Sequence, residues 1–240
     1  MDKPVLVTYP RSSMRAPAPP RPRHHCVEAL NDMSTASGRR LTTSFFERPC
    51  AAVARDLIGC TFTRTLDDGT ILAARLVEVE AYVGDGTDPG SHAHRGPTAR
   101  NRVMFGPAGR LYVYLIYGLH YCANIVCEGG RGAAVLLRAA EPVAGIDVMR
   151  AHRALDDATP DAAILRGPAN FCRGFGLTRD NNGCSIVSGP FAVRAPSARS
   201  NRPLVSVSKR IGLSRGVELP YRFFAAGDPH VSGVRPGARR

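Results

Sequence analysis

Hydrophobic periodicity divides the chain into a patterned body and two unpatterned ends. From Ser44 the run SFFERPCAAVARDLIGC places apolar residues at helical spacing, carries Pro49 near its start and stops at Gly59, which predicts a helix. CTFTRTL and TILAARLVEVEAYVG switch to alternation and, joined by Asp67-Asp68-Gly69, predict a hairpin of two strands. GPAGRLYVYLIYGLHYCANIVCEGG predicts a further strand pair broken at Gly118, and GAAVLLRAAEP a buried strand ending at Pro142. VAGIDVMRAHRAL and the stretch around ILRGPANFCRGFGL return to a helical period, the latter with Pro168 at its start. The segment from SNRPLVSVSKRIGLSRGVELPYRFF onward reads as short strands and Gly/Pro turns, and no internal repeat is present.

Strands clustered between helices predict a single α+β domain over residues 41–232. Its expected core is a curved, mainly antiparallel β-sheet with a protruding β-hairpin and surrounding helices. Residues 1–40 mix Pro, Arg and Ser without an apolar period and read as a disordered basic arm; 233–240 read as a basic tail.

Charge adds a partner to this picture. The 240 residues hold 32 Lys+Arg against 20 Asp+Glu, a net +12, which favours an acidic polymer, nucleic acid before a membrane surface. No apolar run reaches the length of a membrane span, so a soluble cytoplasmic protein is expected. The seven cysteines, an odd number without a CxxC pair, indicate neither a disulfide framework nor a zinc ribbon. Only Lys3 and Lys209 are lysines, so chemistry that needs an amine nucleophile has almost no candidates.

Three groups of residues could carry chemistry. In LVEVEAYVG a period of two puts Glu78, Glu80 and Tyr82 on one strand face. Neighbours on that face are about 6.5–7 Å apart, so each carboxylate disfavours the other's charge, and partial burial is expected to raise at least one pKa. The group reads either as a solvated strand face or as the seat of a general base. Tyr82, Tyr112, Tyr114, Tyr117 and Tyr121 form the second group, an aromatic strand core or a platform for stacking on nucleobases. Tyr112 and Tyr114 share a face, whereas Tyr117, just before Gly118, is placed to project from a hairpin tip as a wedge between base pairs. The loop SHAHRGPTARNRVMF is the third, with His92, His94, Arg95, Arg100 and Arg102 suited to phosphate or base-edge contact.

His92-x-His94 lacks a second ligand cluster, so no metal site and no cofactor are expected. Arg138, ending an apolar run, has Glu141 as its nearby candidate ion partner. Lys209, Arg210 and Arg215, beside Gly212 and Gly216, read either as a loop for close approach to the phosphates of a nucleic-acid backbone or as a solvated basic surface, and Arg100 and Arg102 suit phosphate contact as well. Phosphate-loop, dinucleotide and nucleophile-elbow motifs are missing, which removes the motif support for ATPase, dehydrogenase and serine-hydrolase readings.

VEVEAY, SHAHRGPTARNRVMFGPAG, LYVYLIYGLHYCANIV and AAVLLRAAEP, taken in that order, resemble the alkyladenine DNA glycosylase family, the 3-methyladenine DNA glycosylases of mammalian type. The likeness runs from about Leu41 to Ser232. It implies a monofunctional enzyme of base excision repair, a monomer acting on damaged double-stranded DNA and associated with the nucleoid. Such an enzyme flips alkylated or deaminated purines out of the duplex and hydrolyses the N-glycosidic bond. The expected substrates are 3-methyladenine, 7-methylguanine, hypoxanthine and ethenoadenine.

The same resemblance makes Glu80 the water-activating base, with Arg138 helping to position the water. Tyr82, His92 and Tyr114 become the walls of the base pocket, Asn124 the residue that rejects guanine's amino group, and Tyr117 the intercalating wedge. The alternative is a non-catalytic nucleic-acid binding module with a tyrosine stacking platform.

Overall fold

The computed structural model describes residues 38–197 and 202–233; the expected arm up to residue 37 and the tail from 234 lie outside them. Among the described residues eight strands join in one antiparallel sheet. They are β1 (Thr61–Thr65), β2 (Ile71–Tyr82), β3 (Leu111–Ile116), β4 (His120–Cys127), β5 (Ala133–Ala144), β6 (Phe191–Arg194), β7 (Val205–Ser208) and β8 (Arg222–Ala225). Their order is β3-β4-β5-β2-β1-β6, with β8 added to β2 and β7 added to β8. The sheet curls into a half-barrel with few helices around it, an α+β fold as the sequence pattern predicts.

The long strands β2 and β5 form its spine. One edge of β2 pairs with β5 along its length; the other pairs first with β1 and then, at Glu78–Glu80, with β8. The acidic stretch of β2 is therefore hydrogen-bonded on both edges, and Glu78 and Glu80 are fully buried. A solvated strand face is excluded. The β2–β5 register shifts twice around Glu78, leaving Val77 as an extra residue on β2 and Arg138 as one on β5. Such irregularities bend a strand and re-aim side chains, and here one of them lies at the arginine that meets both carboxylates.

The described residues hold four α-helices beside the sheet: α1 (Thr43–Phe46), α2 (Cys50–Leu57), α3 (Ile146–Arg153) and α4 (Pro168–Gly174). The single helix expected from Ser44 to Gly59 is divided, because Pro49 caps α2 and cannot continue the turn before it. Pro168 opens α4 as predicted. Strand β5 passes through Pro142 to Ala144, two residues beyond the expected end; Pro142 pairs with Ala74 beside a register irregularity, a place that tolerates a residue without an N–H. The short β6, absent from the sequence reading, pairs with β1 at a sheet edge.

The main core lies between helices and sheet, where the rings of Phe171, Phe175 and Phe191 surround Phe62. A smaller apolar cluster of Ala93, Met104, Tyr112, Val126 and Ala134 seats the loop that carries His92 on strands β3 to β5. No helix among the described residues is long and apolar enough to cross a membrane.

Candidate active site

A cavity of about 300 Å³ opens beside the β3–β4 hairpin, large enough for a flat heterocycle. Its walls include Tyr82 from β2, His92, Tyr112 and Tyr114 from β3, and Asn124 from β4. Tyr112 and Tyr114, two apart on one strand, have their rings 5.2 Å apart and nearly parallel, and the His92 ring stands edge-on to Tyr114 at 4.6 Å. Asn124 lies opposite Tyr112 and donates its side-chain N–H to the Tyr112 carbonyl at 3.2 Å. His92 keeps a solvent-facing side at the mouth, with Nδ1 3.1 Å from the Tyr112 hydroxyl. Desolvation by its neighbours and then the Arg100 charge lower its pKa below the usual imidazole value, so the ring is neutral at pH 7.

Glu80 lies just beneath the cavity, and the groups that hold it form part of the cavity wall. Its Oε1 accepts the Ile211 backbone N–H at 2.8 Å, and its Oε2 accepts the Tyr82 hydroxyl at 2.9 Å. Arg138 Nη1 stands 3.3 Å from the same Oε2. Burial, followed by the Glu80 charge, pushes the Tyr82 phenol far up, so Tyr82 is a donor to the carboxylate and not a source of phenolate.

Glu78 is occupied differently. Its Oε1 accepts from Arg138 Nε at 3.0 Å and Arg222 Nε at 2.7 Å, and its Oε2 accepts the Ser232 backbone N–H at 2.6 Å. Burial alone would raise this carboxyl, but Arg138, Arg222 and Ser232 outweigh it and hold Glu78 below the ordinary value. The expected mutual raising of the paired carboxylates is thereby reversed at Glu78, because a guanidinium stands between the two. That guanidinium belongs to Arg138, whose partner is not Glu141; Glu141 pairs with Arg75 at 2.5 Å.

The hairpin carries Tyr117 at its tip. Tyr117 and Gly118 both have positive φ, +53° and +68°, the conformation of a tight type I′ turn. Glycine adopts it freely, whereas a tyrosine does so at a cost. The result is an aromatic ring 82% exposed at the cavity mouth.

Among the expected backbone contacts, Arg100, Arg102, Lys209 and Arg215 are exposed, and Arg100 lies 5.6 Å over the Tyr114 ring. Arg210 is different. Its guanidinium is buried and bound twice to Asp88, at 2.6 Å each, which withdraws it from any phosphate. Sequence reasoning missed Asp88, Arg222, Ser232 and the Ile211 N–H. Asp88 sits in GDGTDPGS, where an acid reads as turn chemistry, and a backbone N–H leaves no trace in a sequence.

A buried carboxylate thus lies next to an aromatic-walled slot that has an exposed ring at its rim and the Arg100 guanidinium beside Tyr114, a shape and charge suited to a planar base carried on a polyanion. Residues 44–229 match the Methylpurine-DNA glycosylase family. A protein of Methanoculleus marisnigri named "Putative 3-methyladenine DNA glycosylase" is 44% identical over 195 residues, 80% of this chain and 98% of its own length. Like-named proteins of Chlorobaculum parvum and Agrobacterium fabrum are each 42% identical, over 83% of this chain and 94% and 96% of theirs. The chain belongs to the methylpurine-DNA glycosylase family.

Proposed function

We propose that this protein is a monofunctional DNA glycosylase that turns alkylated or deaminated purines out of duplex DNA and hydrolyses their N-glycosidic bond. Glu80 takes a proton from water; the water oxygen bonds to C1′ of the sugar, and the C1′–N9 electron pair leaves with the base. Arg138 holds the water between itself and Glu80, and the developing positive charge on the sugar lies near a carboxylate. Tyr82 and Tyr114 would enclose the base, His92 would border it, Asn124 would oppose guanine's amino group, and Tyr117 would fill the gap left in the duplex. The observation that carries this reading is Glu80, buried against Arg138 and the Ile211 N–H under a tyrosine-walled slot. Glu78 has the same chemistry but lies fully engaged by two arginines and a backbone N–H.

The test is release of free base from duplex DNA carrying one hypoxanthine or one ethenoadenine, and separately from methylated DNA, leaving alkali-labile abasic sites. Binding without release from any of these substrates would give the chain to the binding-module alternative.

Two further outcomes are expected. Borohydride should trap no covalent protein–DNA adduct, since a Schiff base needs an amine and Lys209 is the one lysine of the described residues; a trapped adduct would establish lyase chemistry. Tyr117→Ala should leave the melting temperature unchanged, because the ring is exposed, and should slow single-turnover release. Loss of about 1–3 kcal/mol of stacking corresponds to roughly tenfold or more in rate. An unchanged rate would remove the wedge role.

A further inference from the structure

Arg210 and Asp88 meet in a buried pair that the proposed chemistry leaves unused. Nη1 of Arg210 donates to Asp88 Oδ2 at 2.6 Å and to the Ala81 carbonyl at 3.0 Å, while Nη2 donates to Asp88 Oδ1 at 2.6 Å and the Gly216 carbonyl at 3.2 Å. Asp88 also accepts the Val83 and Gly90 backbone N–H groups at 3.2 and 2.9 Å. One planar guanidinium thus ties together the end of β2, the loop after it and the loop from Lys209 to Gly216. Its other contact is aromatic: the Arg210 guanidinium carbon lies 4.5 Å from the Tyr82 ring centre and 5.6 Å from that of Tyr221.

The surrounding backbone is shaped to this group. A Cβ on Gly90 would come within 2.9 Å of Arg210 Nη2, and one on Gly216, at φ +61°, within 3.0 Å of the same atom and 3.1 Å of Asp88 Oδ1. The residue after Arg210 supplies the Ile211 N–H to Glu80, and Ile211 and Leu213 line the cavity. Buried ion pairs are weak contributors to stability, because desolvation offsets much of their attraction. What this one fixes is geometry at two points: the face of Tyr82 and the donor on Glu80.

We infer that Arg210 and Asp88 form a positioning clamp for the reaction, setting the Tyr82 ring from behind and holding the Ile211 N–H on the Glu80 carboxylate. This rests on Glu80 being the base. Base entering the cavity meets a Tyr82 whose rear face is already occupied, so the ring cannot tilt away. A loop freed from the clamp would carry its N–H off Glu80 and widen the cavity wall. Displacement on this scale costs rate without removing any group that touches DNA.

The measurements are single-turnover release of hypoxanthine from a duplex carrying one hypoxanthine, affinity for a duplex with a stable tetrahydrofuran abasic site, and its salt dependence. They are made for wild type, Arg210→Lys, Arg210→Gln and Asp88→Asn below their melting temperatures. The expected result is a rate lower by about 100-fold in each variant, with affinity and salt slope held at wild-type values. A charge-removing Arg210→Gln whose salt slope is flattened by about 1 while its rate is unchanged would make Arg210 a phosphate contact and overturn the clamp. Rate and affinity both unchanged would overturn it as well. Should any variant fail to fold, Gly216→Ala, which presses on the guanidinium from outside, is expected to give the same split between rate and affinity; a wild-type rate there would refute the inference. Wild-type protein that releases no base fails the proposed function instead.

Discussion

Glu80→Gln should bind lesion-containing duplex at least as well as the wild type and release almost no base. Removing a positioned general base costs on the order of 10²–10⁴-fold, and the neighbouring carboxylate, Glu78, is already engaged by two arginines and the Ser232 N–H. The amide can keep the Ile211 N–H bond now made to Oε1 at 2.8 Å, so the loop stays in place. What is lost is the proton acceptor and the negative charge facing the sugar. Affinity should hold or rise, since a buried carboxylate next to a phosphodiester chain opposes binding. Single-turnover release from hypoxanthine-containing duplex, together with binding to the same duplex, checks both halves. A rate within tenfold of wild type would take Glu80 out of the chemistry, and tight dependence of binding on Glu80 would make it a ligand-contact residue.

Part of the candidate site stands out in the sequence by residue type and spacing: Glu78-x-Glu80-x-Tyr82 on one strand, Tyr112-x-Tyr114 on another, and Tyr117 before a glycine; His92, Asn124 and Arg138 took their roles from the resemblance alone. Strand alternation is a local property, so the shared faces followed directly. What the residue pattern alone could not give was the group between the two acids; only the family resemblance set Arg138 beside Glu80. Arg138 reaches them because β2 and β5 fall out of register around Glu78, and register is settled by pairing between strands more than fifty residues apart in the chain. Sequence proximity therefore favoured Glu141, and the fold chose Glu78 and Glu80.

Arg210 shows the same limit from the charge side. In a basic, glycine-flanked run it looks like its neighbours Lys209 and Arg215, yet it is buried while they are exposed. Composition records the charge of a residue and says nothing of the side of the backbone on which it falls. Helix ends and the hairpin turn were legible because proline and glycine act on their own residue's dihedral angles. The short β6 escaped the reading although Gly189-Pro190 stand directly before it, and β8 falls in the stretch read as short strands and Gly/Pro turns; Arg222, at the start of β8, could only be counted as one more basic residue.

Glu78→Gln should act on the fold first. Glu78 is the one carboxylate among the described residues that faces both Arg138 and Arg222, and it also accepts the Ser232 N–H that fastens the end of the described chain. An amide at this position offers one acceptor oxygen where three donors converge on two, and its NH₂ group points at other donors. Breaking a buried pair from one side costs about 3–5 kcal/mol, since the cation stays buried. For a domain of this size each kcal/mol moves the midpoint by about 2–4 °C, so a fall on the order of 10 °C is expected at pH 7.

The pH dependence gives the effect a signature. Glu78 has a folded pKa below its ordinary 4.5, so its contribution is complete above pH 4.5 and is lost as pH falls through the folded value. The gap in melting temperature between wild type and Glu78→Gln should therefore be widest at neutral pH and close in acid, as the wild type protonates into the state the variant already occupies. Base release by the folded variant should be slowed less than by Glu80→Gln, because Arg138 keeps Glu80 as a partner. An unshifted midpoint with abolished release and intact binding would reverse the assignment: Glu78 would then be the group that handles the proton, and Glu80 the counter-ion that holds the arginine in place.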